Sequence, residues 1–453
     1  MASAMSHQYS MKKKFRSYEP GQLMLLPPSI DEWLPQRHLA RFLSEIIDDM
    51  DIGAIQSQYE IELRGYPPYH PRLLLKVLIY GYCIGVRSSR KLAKACVEDV
   101  AFRYLTANQL PEHSTIGDFR KRHIEAFSGL FLKVLMLCEE AGLAGVGHIA
   151  LDGTKVPANA SKHKAMSYER MKTEEVRLAR EIAEINAQVQ ATDSQEDEKY
   201  GKDKAGNELP EELQRRETRL HKIQEAKAAL EKRAAERKPD NDDKKDGGGK
   251  GDPPVPKDKE QYNFTDPESR IMPSSENKKS FTQAYNAQAA VNEHQIIIAT
   301  QVNNQIADST QLPGMMAKVR ENTETLPDDL TADAGYFSEK NVLFLWDFLQ
   351  IRALIPPDKQ RHGKPFEVPE AEPGPGPDAP LSDQMRWLLA TDIGRTTYAL
   401  RKILVEPVFG QIKTCMNFAR FLLRGEKKVS GEWQLACLCH NLRKLYRFQA
   451  FRT

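Results

Sequence analysis

Three carboxylates stand at points of the sequence where a buried element is predicted. Asp152 follows the apolar run GHIAL, and Asp333 follows LTA in LTADAGY, so each acid is expected at the end of a short strand. Glu406 lies among apolar residues in KILVEPVFGQIK, on a predicted helix. Carboxylate oxygens are the ligands that Mg²⁺ and Mn²⁺ prefer. Three converging acids of this kind would suit phosphoryl transfer assisted by two metal ions.

Each of these acids, taken singly, also has a simple structural explanation. Asp152 and Asp333 could cap turns, and Glu406 could be an N-terminal helix charge or one partner of an ion pair. Gly153, directly after Asp152, is expected to let the backbone turn away and leave the carboxylate facing open space. The elements around the acids therefore decide between the two interpretations.

The pattern from His148 onward predicts a mixed α/β sheet with acids at strand ends. Strands are predicted for GHIALDGTKV, FTQAYNAQAAV, EHQIIIATQV, the LTA segment and IRALIPP. Helices are predicted for DSTQLPGMMAKVREN, for the segment after LTADAGY, and for a long stretch over 394–425 that is expected to be interrupted near Pro407. The order is therefore β, β, β, α, β, α, β, α, with an insertion after the first strand.

The first 147 residues are predicted to be mostly helical, with basic residues grouped on two of the helices. The groups are Arg87, Arg90, Lys91 and Lys94, and then Arg120, Lys121, Arg122 and His123. This grouping is typical of a helix-turn-helix-like unit that contacts DNA. The alternative is a pair of solvated helix faces, since the region carries 18 Lys/Arg against 16 Asp/Glu.

Residues 161–260 differ from the rest of the chain because 47 of the 100 positions are charged. Apolar residues at near-heptad spacing predict two amphipathic helices, at roughly 166–190 and 210–238, that pair as a hairpin. Their charges nearly balance, which favours protein contact, such as subunit pairing, over phosphate contact; clamping of a DNA end, or neither role, is the alternative. Residues 239–260 are predicted to be a flexible linker. A second loop, over 356–380 and rich in Pro and Gly, is predicted to be extended or disordered.

Composition excludes several classes of protein. The formal net charge of +2 excludes a uniformly basic coat, and no apolar run approaches the ~20 residues of a membrane span. Six cysteines without a charged-then-apolar leader predict a reduced, cytoplasmic protein. The cluster of Cys437, Cys439 and His440 is predicted to be buried in a helix, with a metal site as the less favoured alternative. Residues 394–453 carry a net charge of +9, which favours contact with DNA phosphates over a solvated basic tail.

The chain resembles bacterial insertion-sequence transposases of the DDE class, whose catalytic domain has an RNase H-like fold. The motifs that carry the resemblance are GYPPYHPRLLLKVLIYGYCIGVRSSRKLA, STIGDFRKRH, ALDGTKVPANAS, TDPESRIMP, YNAQAAV, NNQIADSTQLPGM, LTADAGY and VEPVFGQIK. In that family the acids lie on the first strand, on the fourth strand and on a later helix. The resemblance therefore implies that Asp152, Asp333 and Glu406 are the catalytic and metal-binding residues.

The family's helix signature, Tyr-x2-Arg-x3-Glu-x6-Lys, is matched in part. Lys413 is seven positions after Glu406, as the signature requires, and Tyr398 stands three positions before Arg401. Lys402, and not an arginine, stands four positions before Glu406, so either Arg401 or Lys402 is expected to hold a DNA phosphate. An ion pair with Glu406 is the structural alternative for these cations. Asp308 and Asn159 are also family-like positions, and both are predicted to cap helices or bond locally.

The resemblance implies a DNA transposase that binds terminal inverted repeats and uses two Mg²⁺ or Mn²⁺ ions to cleave and join strands. Its expected partners are the element ends and target DNA, and it is expected to act as a homodimer on paired ends. The residues expected to contact DNA are Tyr398, Arg401, Lys402, Lys413, Arg90, Lys91, Arg120 and Arg122. The alternatives are a catalytically inactive or domesticated DNA-binding protein and a metal-dependent endonuclease that does not rejoin strands.

These expectations divide the chain into five parts. They are a helical DNA-binding domain at 1–147, an RNase H-like catalytic domain at 148–165 and 261–420, a helical hairpin insertion at 166–238, a flexible linker at 239–260, and a basic C-terminal helical segment at 421–453. A fold of this kind is expected to bring the three acids together from two strands and a helix.

Overall fold

The structure is a computed structural model, which describes residues 29–59, 68–200, 211–236, 255–274, 280–359, 374–376 and 378–452. Most of the linker predicted at 239–260 and of the loop predicted at 356–380 lies outside the described residues. No described helix is long and apolar enough to cross a membrane.

The described N-terminal residues form helices, as the apolar periodicity predicts. Their bounds are α1 Ile30–Trp33, α2 Leu39–Asp49, α3 Gly53–Gln56, α4 Pro71–Cys83, α5 Ser89–Glu98, α6 Val100–Leu105, α7 His113–His123 and α8 Phe127–Glu140. Helix α4 begins with Pro71, whose fixed φ suits the first turn, and the Nδ1 atom of His70 accepts a hydrogen bond from the N–H of Arg72 at 3.2 Å. Helix α4 is buried along almost its whole length.

The strands that follow form one mixed sheet of six strands and a two-stranded ribbon. Their bounds are β1 His148–Pro157, β2 Ala165–Ser167, β3 Gln261–Asn263, β4 Arg270–Pro273, β5 Phe281–Asn292, β6 Ile297–Asn303, β7 Asp329–Ala332 and β8 Arg352–Leu354. In the main sheet, β1 pairs antiparallel with β5 and parallel with β7, and β7 pairs parallel with β8. Strands β4 and β6 both pair with β5, while β2 and β3 form the ribbon.

The described residues after residue 147 also form seven α-helices. They are α9 Tyr168–Tyr200, α10 Glu211–Ala235, α11 Leu312–Thr323, α12 Glu339–Leu343, α13 Leu381–Ala390, α14 Asp392–Gly410 and α15 Glu426–Arg452. Apart from the inserted segment and from β4 and α13, which were not predicted, the chain order of β1, β5, β6, α11, β7, α12, β8 and α14 matches the order predicted from the sequence. This mixed α/β sheet behind a helical N-terminal region is consistent with an RNase H-like fold.

Strand β1 differs from the prediction because it does not end at Asp152. It continues through Gly153 to Pro157, paired with β5 along the way. Gly153 does not turn the chain; it leaves room for the side chain of Gln288, whose Nε2 atom would lie 2.3 Å from a Cβ at this position. The prediction of a turn at Gly153 is therefore wrong, since the glycine serves a close side-chain approach between paired strands.

The helix that carries Glu406 is likewise not interrupted at Pro407. Helix α14 runs through Pro407 to Gly410 and continues as a π-helical turn at Gln411–Cys415. Proline has no N–H, so the carbonyl of Ile403, four residues earlier, loses its helical partner. The side-chain Nε2 of Gln295, in the turn between β5 and β6, donates to that carbonyl at 2.7 Å. A contact from outside the helix thus compensates for the proline.

Helices α9 and α10 pack together as the predicted hairpin, although α9 extends ten residues beyond its expected end. The buried seam contains Tyr168, Met171, Leu178, Ile223, Ala226 and Leu230. Val176, one of the apolar residues behind the prediction, is instead 72% exposed. Tyr262 and Phe264 close the base of the hairpin, where it joins the ribbon of β2 and β3.

Helix α15 is shared between the N-terminal helices and the sheet, because it packs on α8, α4 and β6. Cys437, Cys439 and His440 lie buried on this helix, as predicted, and burial lowers the pKa of His440 to about 3. The Nε2 atom of His440 contacts the carbonyl of Gln295 at 2.9 Å. This contact gives the buried His440 ring a hydrogen-bond partner.

A buried ion pair joins the two halves at this helix. Glu432 on α15 is fully buried, and its Oε1 lies 2.9 Å from Nη2 of Arg87, which follows α4. The other oxygen of Glu432 accepts the N–H groups of Leu422 and Leu423 at 2.9 and 3.0 Å. Arg87 also donates to the carbonyl of Asn417 at 2.8 Å. The pair therefore fixes the loop after α14 to the N-terminal helices.

Candidate active site

Asp152 and Asp333 lie side by side on neighbouring parallel strands. In the register of β1 and β7, Leu151 is opposite Ala332, so each acid is the next residue along its own strand. Asp333 directly follows β7, as predicted, and its Oδ1 accepts the N–H of Gly335 at 2.9 Å. The parallel pairing of β1 with β7, and not a shared loop, thus brings Asp152 and Asp333 together.

Burial and neighbouring acids set the pKa of Asp152. Burial raises this pKa to about 6, Arg401 opposes the rise, and the charges of Asp333 and Asp308 add to it. The N–H of Gly153 donates to Oδ1 of Asp152 at 2.8 Å and favours the charged form. Because Asp152 is buried beside other acids, an approaching cation would stabilise its charged form.

Arg401 links the sheet acid to the helix acid. Its Nη1 lies 2.9 Å from Oδ2 of Asp152, and its Nη2 lies 3.4 Å from Oε1 of Glu406. Glu406, on α14, is about half exposed, whereas Arg401 is largely buried. The guanidinium of Arg401 therefore contacts two of the three predicted acids. The sequence left open whether Arg401 or Lys402 lies close to them, and in the structure it is Arg401. Lys402 is exposed.

The remaining residues of the helix signature face the same region. Nζ of Lys413, in the π-helical turn, donates to Oγ1 of Thr154 at 2.5 Å, two residues beyond Asp152 on β1. Tyr398 is buried near Arg401, and burial raises its pKa. The Arg401 pKa is raised by Asp152 and Tyr398 in spite of burial, which lowers it. Helix α14 thus presents its cations to strand β1.

A fourth acid, Asp308, belongs to the cluster and was not predicted as a site residue. Its Oδ1 lies 2.9 Å from Nζ of Lys155 and accepts from Asn286 at 2.7 Å and Gln288 at 2.8 Å. It makes no capping hydrogen bond, so the capping prediction is wrong for Asp308. The one sequence signal for it was its family-like position in NNQIADSTQLPGM.

Asn159, the other residue predicted to cap or bond locally, makes a tertiary contact. Its Nδ2 donates to the carbonyl of Leu422 at 2.8 Å. Below the acids, the buried Gln288 accepts a hydrogen bond from the hydroxyl of Tyr336 and donates to Asn286 at 3.0 Å. This polar layer is largely satisfied and buried, so it holds the acids from behind.

The donor set fits divalent cations, although the described residues hold no ready-made metal site. No group of three His, Cys, Asp or Glu side chains within the described chain is close enough to hold an ion. Asp152, Asp333 and Glu406 supply carboxylate oxygens, the ligand type that Mg²⁺ and Mn²⁺ prefer. Arg401 already contacts Asp152 and Glu406, so an ion on these carboxylates would share or displace that contact.

The basic residues predicted on the N-terminal helices separate into exposed and buried groups. Arg90, Lys91 and Arg122 are exposed, on helices α5 and α7, which pack together. Arg120 is buried, and its Nη1 donates to the carbonyl of Arg87 at 2.9 Å. The guanidinium of Arg120 is therefore packed inside the protein and does not reach the surface. The expectation that Arg120 contacts DNA is corrected for this reason. Helix periodicity places Arg120 and Arg122 on different faces, a distinction that a count of basic residues cannot make.

Two segments of the chain match known protein families. Residues 28–122 match a family described as a transposase domain (DUF772), and residues 379–446 match one described as a transposase DDE domain. The second segment contains Arg401, Glu406 and Lys413. Among the curated proteins and the solved structures, none matches the chain significantly. The two family matches confirm the resemblance drawn from the sequence motifs.

Proposed function

We propose that this chain, which its two family matches identify as an insertion-sequence transposase of the DDE class, binds terminal inverted repeats and catalyses metal-dependent DNA cleavage and strand transfer. The observation that carries the proposal is the arrangement of the acids. Asp152 in β1 and Asp333 directly after β7 follow the paired residues Leu151 and Ala332, and Arg401 joins Asp152 to Glu406. These three acids are our proposed catalytic and metal-binding residues.

The proposed cofactor is a pair of Mg²⁺ or Mn²⁺ ions held by Asp152, Asp333 and Glu406. When bound, two such ions would activate the attacking oxygen and stabilise the leaving oxygen of an in-line displacement. In the first step a water oxygen forms a bond to phosphorus and the 3′ oxygen leaves. In the second, that 3′-hydroxyl attacks a phosphate of target DNA, and a 3′ oxygen of the target leaves. Neither step needs a protein nucleophile.

The basic residues near the acids would hold the DNA. Arg401 and Lys413 would bind phosphate oxygens next to the reacting group, because both lie against strand β1. Lys402, exposed on the same helix, would contact the backbone further out, and Tyr398 would support Arg401 from the buried side. The positive charge of these residues suits this role, because a phosphate that approaches the acids is repelled by them unless cations compensate the negative charge.

Recognition of the element ends is proposed for the N-terminal helices, with Arg90, Lys91 and Arg122 as contacts. The basic C-terminal segment would add backbone contacts, since residues 394–453 have a net charge of +9. Its exposed basic residues are Lys402, Arg420, Arg424, Lys427, Lys428 and Arg447. Two element ends must be processed together, so a homodimer on paired ends is part of the proposal.

The test uses a plasmid that carries the gene with its flanking DNA. Purified protein is incubated with it in Mg²⁺, in Mn²⁺ and in EDTA, and breaks are mapped at nucleotide resolution. We expect metal-dependent breaks at the flank ends that disappear in Asp333→Asn. The matched control is Asp347→Asn, which removes an exposed acid outside the site and should cleave like the wild type.

The same assay separates the alternatives. Cleavage without joining of a labelled element end to a second plasmid would identify a nuclease. Binding without cleavage, in both wild type and variant, would identify an inactive DNA-binding protein. Cleavage that persists in EDTA, or in Asp333→Asn, would refute the proposed site.

A further inference from the structure

The base of the helical hairpin holds a cavity of about 390 Å³ whose rim is basic. Its basic lining residues are Lys164, Arg170, Arg219 and Lys222, and His163 and Phe264 also line it. No carboxylate stands among the described lining residues. We propose that this hairpin-base cavity binds the phosphate backbone of the DNA that enters the active site.

The positive charge of the cavity is a local feature, because the hairpin as a whole is nearly neutral. Elsewhere on it several cations are paired with acids: Arg177 lies 2.7 Å from Glu174, and Lys227 lies 2.8 Å from Glu175. At the cavity, Lys164, Arg170 and Lys222 are exposed and make no ion pair with any described residue. Arg219 alone is paired, at 3.5 Å from Glu174.

Glu174 compensates Arg219 and, through a weaker interaction, part of the charge of Arg170, so the cavity keeps an excess of positive charge. Like charges in excess repel one another, and the repulsion is relieved when an anion binds. A row of phosphates fits this arrangement better than a single small anion, since the cations come from three separate elements. Lys164 lies in the turn before β2, Arg170 begins α9, and Lys222 lies on α10. The overall charge balance of the hairpin favoured protein contact; its distribution in space favours DNA at this end.

The connection to the acids supports DNA as the ligand, and this step rests on the proposed function. Strand β1 carries Asp152, and the chain reaches Lys162 ten residues later, a span of at most ~35 Å. At 3.4 Å per base pair, a duplex with its reacting phosphate at Asp152 reaches the cavity within ~10 base pairs. The cavity would thus grip DNA that flanks the cleavage point, without reading bases.

The experiment measures the salt dependence of DNA binding by the full chain. A fluorescent 30-base-pair duplex of arbitrary sequence is titrated in EDTA, so that no cleavage occurs, at several KCl concentrations between 50 and 200 mM. The test variant is Lys164→Gln/Lys222→Gln. The matched control is Arg180→Gln/Lys232→Gln, which removes two exposed cations of the same hairpin outside the cavity.

Each phosphate contact contributes about 0.9 to the slope of log affinity against log salt. Two lost contacts should therefore lower the slope by about 1.8, so that the ratio of wild-type to variant affinity falls about 12-fold between 50 and 200 mM salt. The control variant should keep the wild-type slope. Because the reaction is blocked, this result does not depend on whether the acids are catalytic.

An unchanged slope in the cavity variant, or the same change in the control, would overturn the inference. A cavity variant with the wild-type slope but an altered sedimentation coefficient would also overturn it, since the cavity would then bind an acidic protein surface, such as a second copy of the chain. Failure of plasmid cleavage by the wild type, with the slope change present, would refute the proposed function and leave the DNA-binding surface standing.

Discussion

Replacing Glu432 tests whether the buried ion pair holds the two halves of the protein together. In Glu432→Gln, the amide nitrogen cannot accept a hydrogen bond, so either Arg87 or the pair of backbone N–H groups at Leu422 and Leu423 loses its acceptor. Arg87 is only 6% exposed, so water cannot readily replace the lost partner. Loss of one member of a buried pair typically costs about 3–5 kcal/mol.

The expected readout is the midpoint of thermal unfolding, followed by circular dichroism and calorimetry. For a chain of this size, such a loss corresponds to a decrease of roughly 5–10 °C, since each kcal/mol shifts Tm by about 2 °C. The control is Glu125→Gln, which removes the ion pair between Glu125 and Lys427. The two groups are 2.8 Å apart, and their side chains are 61% and 76% exposed, respectively. An exposed pair contributes about 0–1 kcal/mol, so this control should melt within about 2 °C of the wild type.

A double variant separates a lost ion pair from a general packing defect. Arg87 and Glu432 are replaced by methionine singly and together; the double replacement removes both buried charges with similar volume, so it should be more stable than the sum of the losses in Arg87→Met and Glu432→Met predicts. The expected coupling is about 2 kcal/mol or more. The reasoning would be refuted if Glu432→Gln melted like the control, or if the two single losses simply added.

Three further predictions concern His123, Gln295 and Cys415. Burial lowers the pKa of His123 to about 4, so the unfolded chain alone gains this proton as pH falls below 6.5, and about 2 kcal/mol of stability should be lost by pH 5; urea unfolding of His123→Phe should show a smaller loss. Gln295→Ala removes the donor to the Ile403 carbonyl and the acceptor of Lys444, so it should cost about 1 kcal/mol more in the native background than in Pro407→Ala, where the Ile403 carbonyl regains a helical partner; equal losses in both backgrounds would contradict this. Of the six cysteines only Cys415 is exposed, so a thiol reagent should modify one cysteine per native chain, and rapid reaction of two would count against the structure.

The sequence predicted the elements that present the acids but not all of their contacts. Alternation and apolar runs located β1, β5, β6, β7 and β8 in the right order, because the sheet is buried and its pattern is strong. The end of β1 was misjudged, since a glycine that permits a turn and a glycine that admits Gln288 look identical in the sequence. The interruption at Pro407 was misjudged because Gln295, more than a hundred residues away, supplies the missing contact.

For the candidate site, the family motifs supplied Asp152, Asp333 and Glu406, and the structure brings these residues into one region. Asp308 was overlooked because its partners, Lys155, Asn286 and Gln288, lie on two other strands. The burial of Arg120 was also missed, because neighbouring basic residues on one helix can face opposite ways. Local patterns predict elements well, whereas roles that depend on tertiary partners need the fold.

Helix α15 determines when this protein can finish folding. Its side chains complete the packing around α8 and α4, yet the ribosome makes them about 290 residues after α8 ends. At ~5–20 residues per second, the N-terminal helices wait about 15–60 s for that packing partner. During this interval their apolar faces remain uncovered, so nascent chains and prematurely terminated fragments are candidates for chaperone capture and proteolysis. The supply of competent protein therefore depends on the synthesis of α15.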